Sequence, residues 1–387
     1  MTPKLNRSAT ERASPSAPPI AEVVTSTAVL SSNEADRSIY IDFETLGNAP
    51  EQPAILGILG ASGPTDIQIF VLDPILASAS RAKKTVCQPV CVEDAVKTIV
   101  GRAEVERRRI VSWSTFDREV VRLTCSPALV SRFDAVYCNA LDTARRWKRT
   151  LYPNHLFSLD PFGGKHPLKQ YFQMIGYEVP ARLSPATPAK WLRRVLERMR
   201  AVDGRYGAIS ELARRDWRRL LEYNEHDCRG MREVVSRAAR EVELWRAYER
   251  THFNVHISGE ELSIRVGAHN PKLDVELERL NATRWAYLTA SNPDSRQLSI
   301  EENMVRNAEL AGLVRDRGNE VLAGYGRDAT AQWPPEASVL VVGISRREAR
   351  ELGRRFGQLA IVAGHKGYPA RLLPTGLRPN RPVSTQP

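Results

Sequence analysis

A chain of 387 residues is long enough for two or three domains, and a hydrophobic content of 42% is enough to bury real cores. The 56 Lys and Arg outnumber the 45 Asp and Glu, and the formal charge of +11 favours a polyanionic partner, nucleic acid before an anionic membrane surface, unless the arginines only solvate the exterior. No apolar run reaches spanning length and the N-terminus lacks the apolar stretch of a signal peptide, so a cytoplasmic protein with no membrane partner is expected.

Residues 1–36, rich in Ser, Ala, Thr and Pro, show no sustained period and read as a disordered tail. From Ser38, "SIYIDFETL", "AILGILGAS" and "IQIFVLD" read as three strands of an antiparallel meander. "CVEDAVKTIVGRAEVERRR" has helical spacing, and Ile110–Thr115 reads as a fourth strand feeding the helix "FDREVVRLTC". The expected class is α/β, a mixed sheet with helices packed on it, over residues 37–254. "YPNHLFSLDPFGGKHP" is a Gly/Pro-rich loop, "LKQYFQMIGYEVP" a helix and its exit, and "AKWLRRVLERMRA" a basic amphipathic helix. The stretch from Glu211 to Tyr248 is one long helix or two abutting ones.

A second small α/β domain is expected over 255–370, followed by a basic, Pro-rich tail over 371–387. Its strands are "WAYLTASNP", "SVLVVGIS" and "LAIVAG"; its helices are "SIEENMVRNAELAGLVRDRG", with Ser299 and Glu302 as a capping box, and "RREARELGRRFG". The five cysteines, Cys87, Cys91, Cys125, Cys138 and Cys228, are odd in number and lack zinc-site spacing, so free thiols are expected.

The candidate chemistry begins with Asp42 and Glu44. Positions i and i+2 of a strand share a face, and two bare carboxylates there repel unless a cation such as Mg²⁺ or Mn²⁺ lies between them or water solvates an exposed strand end. Asp117 stands where the fourth strand passes into a helix. Asp227 lies on the long helix, with Tyr223 one turn earlier on the same side.

"IDFET", "SWSTFD" and "YNEHD", in this order, resemble the three motifs of the DEDD exonucleases, tyrosine subclass, of the ribonuclease H-like superfamily. "HPLKQYFQMIG" is similar to the Leu-Lys helix between their second and third motifs. The resemblance spans residues 38–250 and implies a ribonuclease H-like mixed sheet flanked by helices. It further implies a metal-dependent 3′–5′ exonuclease on DNA or RNA, acting at single-stranded 3′ ends with two Mg²⁺ or Mn²⁺ ions. Asp42 would bridge both ions, Glu44 and Asp227 would complete one site, Asp117 would support the other, and Tyr223 would orient the attacking water. His226 is not at the position the histidine subclass uses. The alternative is a catalytically inactive nucleic-acid-binding or regulatory protein that keeps the fold.

Other residues have two readings each. "FGGKHP" lacks Walker spacing; Lys165 or Lys169 either touches phosphate or is solvated surface. Trp113, Trp147, Trp191 and Trp217 either stack bases or fill cores, and Cys228 is expected to pack. From Trp285 to Gly364 the chain resembles a small bacterial family known only as a domain of unknown function. There Asn292, Asn303, Arg306, Trp333 and Gln358 either line a pocket or serve turns, caps and packing. Arg346, Arg347, Arg350, Arg354 and Arg355 either hold nucleic-acid backbone or solvate a helix.

Overall fold

The computed structural model describes residues 29–47, 49–60, 63, 65–82, 87–157, 168–183, 188–329 and 334–377. Expectations for Lys165, for Trp333, and for the parts of the tails at 1–28 and 378–387 fall outside them.

The first unit contains α1 (Ser32–Arg37), β1 (Ile39–Thr45), β2 (Pro53–Leu59), β3 (Ile67–Val71), β4 (Cys87–Pro89), α2 (Val92–Val105), β5 (Ile110–Ser112) and α3 (Thr115–Thr124). It continues through α4 (Pro127–Val136), β6 (Tyr137–Asn139), α5 (Ala140–Leu151), α6 (Leu168–Ile175), α7 (Pro188–Arg200) and α8 (Glu211–Arg250). Its sheet has the order β4-β3-β2-β1-β5-β6. The meander β1–β3 is antiparallel as expected, whereas β5 and β6 extend the other side of β1 in parallel. The three-residue strands β4 and β6 are too short to carry a readable alternation.

Strand alternation divides β1 between two layers. Ile39, Ile41 and Phe43 pack into a core built with α2, α3 and α4. Tyr40 faces the opposite way, into a core with α5, α6 and the C-terminal half of α8. A third core joins β2 and β3 to α7 and the N-terminal half of α8. By the same alternation Asp42 and Glu44 face α8. That helix is a single run of 40 residues, about 60 Å long, with its ends in two cores and its middle over the end of β1.

The N-terminal tail expectation is corrected in part. Residues 29–36 are ordered: α1 carries a Ser31–Glu34 capping box, and Leu30 and Ala35 are buried. The Tyr40 hydroxyl donates to the Ala35 carbonyl at 2.7 Å, and Ser32 donates twice to Glu243. A helix of six residues that buries Leu30 and Ala35 leaves no period for a sequence window to detect.

The second unit starts earlier and ends later than expected. It contains β7 (His252–Ile257), β8 (Glu260–Arg265), α9 (Pro271–Arg279), β9 (Arg284–Leu288), α10 (Ile300–Arg315), β10 (Glu320–Arg327), β11 (Glu336–Val342), α11 (Arg346–Arg355), β12 (Ala360–His365) and β13 (Arg371–Pro374). The sheet order is β13-β12-β9-β11-β10-β7-β8, and every pair of neighbours is antiparallel. Ser258 and Gly259, both at positive φ, close the β7–β8 hairpin. The expectation of a tail from residue 371 is corrected: β13 pairs with β12, and buried Thr375 donates to the Gln358 carbonyl at 2.5 Å. The prolines and arginines beyond it had outweighed the short apolar run "RLLP". α10 and α11 pack on one face of this sheet and α9 on the other.

Candidate active site at the end of the first strand

β5 pairs with β1 only through Ile39 and Tyr40, so β1 runs on past its parallel neighbour. In the fork that opens, α3 starts from the Ser114 N-cap and puts Asp117 in its first turn. One oxygen of the buried Asp117 accepts the Phe43 N–H at 2.9 Å, a donor that β5 is too short to satisfy.

From the other side, α8 brings Tyr223, Asn224 and Asp227, all buried. The Asn224 amide donates to the Asp42 carbonyl at 2.9 Å and to its carboxylate at 2.7 Å. This approach depends on Gly57, which pairs with Asp42 across β1 and β2. A Cβ there would fall 1.9 Å from Asn224 Oδ1 and 3.2 Å from Cys228 Sγ. Gly230, three residues after Asp227 on α8, does the same for α6: a Cβ would meet the Phe172 ring at 2.3 Å.

That packing places Lys169. Its Nζ lies 3.2 Å from Asp227 Oδ1 and 3.8 Å from the centre of the Tyr223 ring. The contact with Asp227 is an ion pair without hydrogen-bond alignment. Lys169 thus sits among the acids, where the sequence left it as either a phosphate contact or surface.

The four carboxylates feel one another. Burial, then Glu44, Asp227 and Asp117, push Asp42 well above the ordinary carboxylate range, against the pull of Lys169. Burial and Asp227 do the same to Glu44, again opposed by Lys169. Burial raises Asp117 to about 6, with the Phe43 N–H and Ser112 holding it down. Burial also raises Asp227, offset by Lys169 and by the Tyr223 hydroxyl. The Tyr223 phenol is raised by burial and by Asp227, Glu44 and Asp42, so it stays protonated and serves as a donor.

Asp42, Glu44, Asp117 and Asp227 therefore form one mutually repelling group, yet among the described residues no three Asp, Glu, His or Cys side chains stand in a geometry that would hold a metal ion. Asp227 is engaged by Lys169, Asp42 by Asn224 and Asp117 by Phe43. The donor chemistry itself fits hard divalent cations: all the oxygens are carboxylate, and opposite charge would relieve their repulsion.

Most of the remaining candidates among the described residues serve packing, turns or caps. Trp147, Trp191 and Trp217 are buried, and half-buried Trp113 packs edge-on against Tyr171 at 5.1 Å. None of the five cysteines is in a disulfide, and Cys228 is buried against the sheet beside Gly57. In the second unit, Arg306 donates to the carbonyls of Ala290 and Phe356, and Gln358 to that of Ser291. Asn292 and Asn303 bond each other and the Leu298 N–H. These side chains fasten the turn after β9. Arg354 is spent on the Thr375 carbonyl, and Arg355 lies 3.5 Å from Glu309.

Among the described residues no helix is long and apolar enough to cross a membrane. No curated protein and no solved structure matches the chain. Residues 288–361 match the family described as "Protein of unknown function (DUF3293)", so the second unit is similar to that family from the end of β9 to the start of β12.

Proposed function

We propose that residues 38–250 form a metal-dependent 3′–5′ exonuclease with a ribonuclease H-like fold, acting on single-stranded DNA or RNA. The observation that carries this reading is the gathering of four carboxylates from β1, α3 and α8, with a protonated tyrosine, at the end of one central strand. The mixed sheet flanked by helices, with a meander on one side of β1 and parallel strands on the other, agrees with the fold that the motifs imply.

Asp42, Glu44, Asp117 and Asp227 are the residues that would hold Mg²⁺ or Mn²⁺. Such ions, when bound, make a water nucleophilic at neutral pH and stabilise the oxygen that leaves phosphorus. The chain's own groups supply position. Asn224 fixes the rotamer of Asp42, and the Phe43 N–H fixes that of Asp117. Tyr223 keeps its proton and can orient the water by donating or accepting a hydrogen bond.

A second reading, a nucleic-acid-binding protein without catalysis, is favoured by Lys169, which supplies a cation to the acids from within the chain. Release of nucleotides from a labelled single strand separates the two. The assay is run with Mg²⁺ or Mn²⁺, on DNA and RNA, with free and blocked 3′ ends and with Asp42→Ala as control. Metal-dependent release that requires a free 3′ end and is lost in Asp42→Ala is the expected result. No release from any substrate, or equal release by Asp42→Ala, overturns the exonuclease.

A further inference from the structure

Many arginines of the first unit are matched to acids, among them Arg102 to Glu106, Arg118 to Asp134, Arg132 to Glu104, Arg182 to Glu222, Arg194 to Asp216 and Arg229 to Glu225. The cations of α5 are not. Its inner side, Ala140, Thr143, Ala144, Trp147 and Leu151, is buried in the core. Its outer side carries Arg145, Arg146, Lys148 and Arg149, and among the described residues none of these cations meets a carboxylate. Like charges this close on one helix repel and cost stability, so the stripe is complementary to a polyanion.

Aromatic rings lead from the stripe toward the elements that carry Lys169 and Asp117. Lys148 Nζ lies 5.1 Å from the centre of the Phe157 ring. Phe157 stands edge-on to Tyr171 at 4.8 Å, and Tyr171 to Trp113 at 5.1 Å. Tyr171 is two residues from Lys169 on α6, and Trp113 adjoins the Ser114 cap of the helix that bears Asp117. Arg145 and Arg149 both act on the Tyr171 hydroxyl, which burial raises to about 12. Phe157 and Trp113 are only half-buried, and Leu156, next to Phe157 in the chain, is 86% exposed.

We propose that the outer face of α5, with Phe157 and Trp113, is the track along which a single-stranded nucleic acid lies as its end enters the acidic site. The proposal rests on the exonuclease reading for where the end goes, but not for the binding itself. Cations hold the phosphates, and the half-buried rings take up bases that a duplex would keep stacked.

The test uses the full-length protein and a fluorescein-labelled oligothymidylate, with anisotropy read in EDTA so that no cleavage intervenes. Arg145→Glu combined with Arg149→Glu should weaken binding by about tenfold or more and reduce the slope of log K against log salt by about 1.4, two phosphate contacts' worth on a single strand. Both residues are exposed, so circular dichroism should match the wild type and melting should be no lower. Phe157→Leu should weaken binding with the slope unchanged. Arg346→Glu with Arg347→Glu, on the second unit, should leave affinity as it was. Unchanged affinity and slope in the α5 variant overturn the track, as does equal affinity of the wild type for heparin. If the wild type degrades single strands while the α5 variant keeps its KM, the track falls and the exonuclease stands. If the wild type binds through α5 yet releases no nucleotide with Mn²⁺, the exonuclease falls and the track stands.

Discussion

Asp42 is a residue whose folded state is uncomfortable without a partner cation. Its carboxyl, like those of Glu44, Asp117 and Asp227, is raised above the unfolded value, so the folded chain binds more protons than the unfolded one over the interval between. The stability that protonation carries is full below the ordinary carboxylate pKa and is lost as pH rises through the folded value. For Asp117 that value is about 6, and for Asp42 and Glu44 the direction is the same. In EDTA, Asp42→Asn should therefore raise the melting temperature at about pH 8, by roughly 2–4 °C per kcal/mol of repulsion relieved, and flatten the rise on going down to about pH 5.5. A lower melting point for Asp42→Asn at the higher pH would show that the carboxylates do not repel.

Lys169 predicts the converse. Lys169→Met leaves Asp227 without its counter-charge and should cost about 1–2 kcal/mol at neutral pH, discounted from a fully buried pair because the lysine is partly solvated. Mn²⁺ should restore more of that loss than it adds to the wild type, since a bound ion stabilises only the folded chain. Thermal melts with and without the ion check this; equal gains in both proteins would deny that lysine and metal compete for the same charge.

At the scale of elements, the site exists because α8 lies closer to the sheet than side chains normally permit. Gly57→Ala places a methyl group where Asn224 Oδ1 is, and Asn224 is already committed to Asp42. The expected cost is about 1–3 kcal/mol of stability from overpacking, together with loss of activity, because Asp42 loses the donor that sets its rotamer. Melting and nucleotide release are read together, and a variant as stable and active as the wild type would show that α8 can retreat freely. The helix α1 makes a second prediction. A chain starting after Arg37 loses the burial of Leu30 and Ala35 and the bonds to Tyr40 and Glu243. It should melt several degrees lower, by about 2–4 °C per kcal/mol, where composition alone reads residues 1–36 as a disordered tail. An unchanged melting temperature would return the segment to the tail.

For the whole molecule, each sheet has its own cores, but the seam between the units is not bare. Leu359 and Leu377 of the second unit pack with Trp245 against the core that contains Tyr40. A chain ending at Thr251 should keep metal-dependent nuclease activity while exposing that seam, seen as a lower melting temperature. If the full chain turns over, normal folding of the shorter one with no turnover would mean that the second unit supplies a catalytic group.

The order of the meander, the place of Asp117 at a strand-to-helix junction and the turn that aligns Tyr223 with Asp227 were legible in the sequence. Each depends on the period of a single element, 2.0 in a strand and 3.6 in a helix. The strands β4, β6, β7 and β13 and the helix α1 were not legible, because they are too short or too polar to have a period and are held by pairing partners distant in sequence. Asn224 stood in plain view inside "YNEHD" and Lys169 inside "HPLKQYF", yet nothing in their local spacing says that one holds Asp42 and the other Asp227. Those contacts were decided by tertiary packing alone, through two glycines that let α8 approach β2 and let α6 approach α8. Charge interaction depends on distance through space, and distance between residues far apart in the chain is set only when the elements pack.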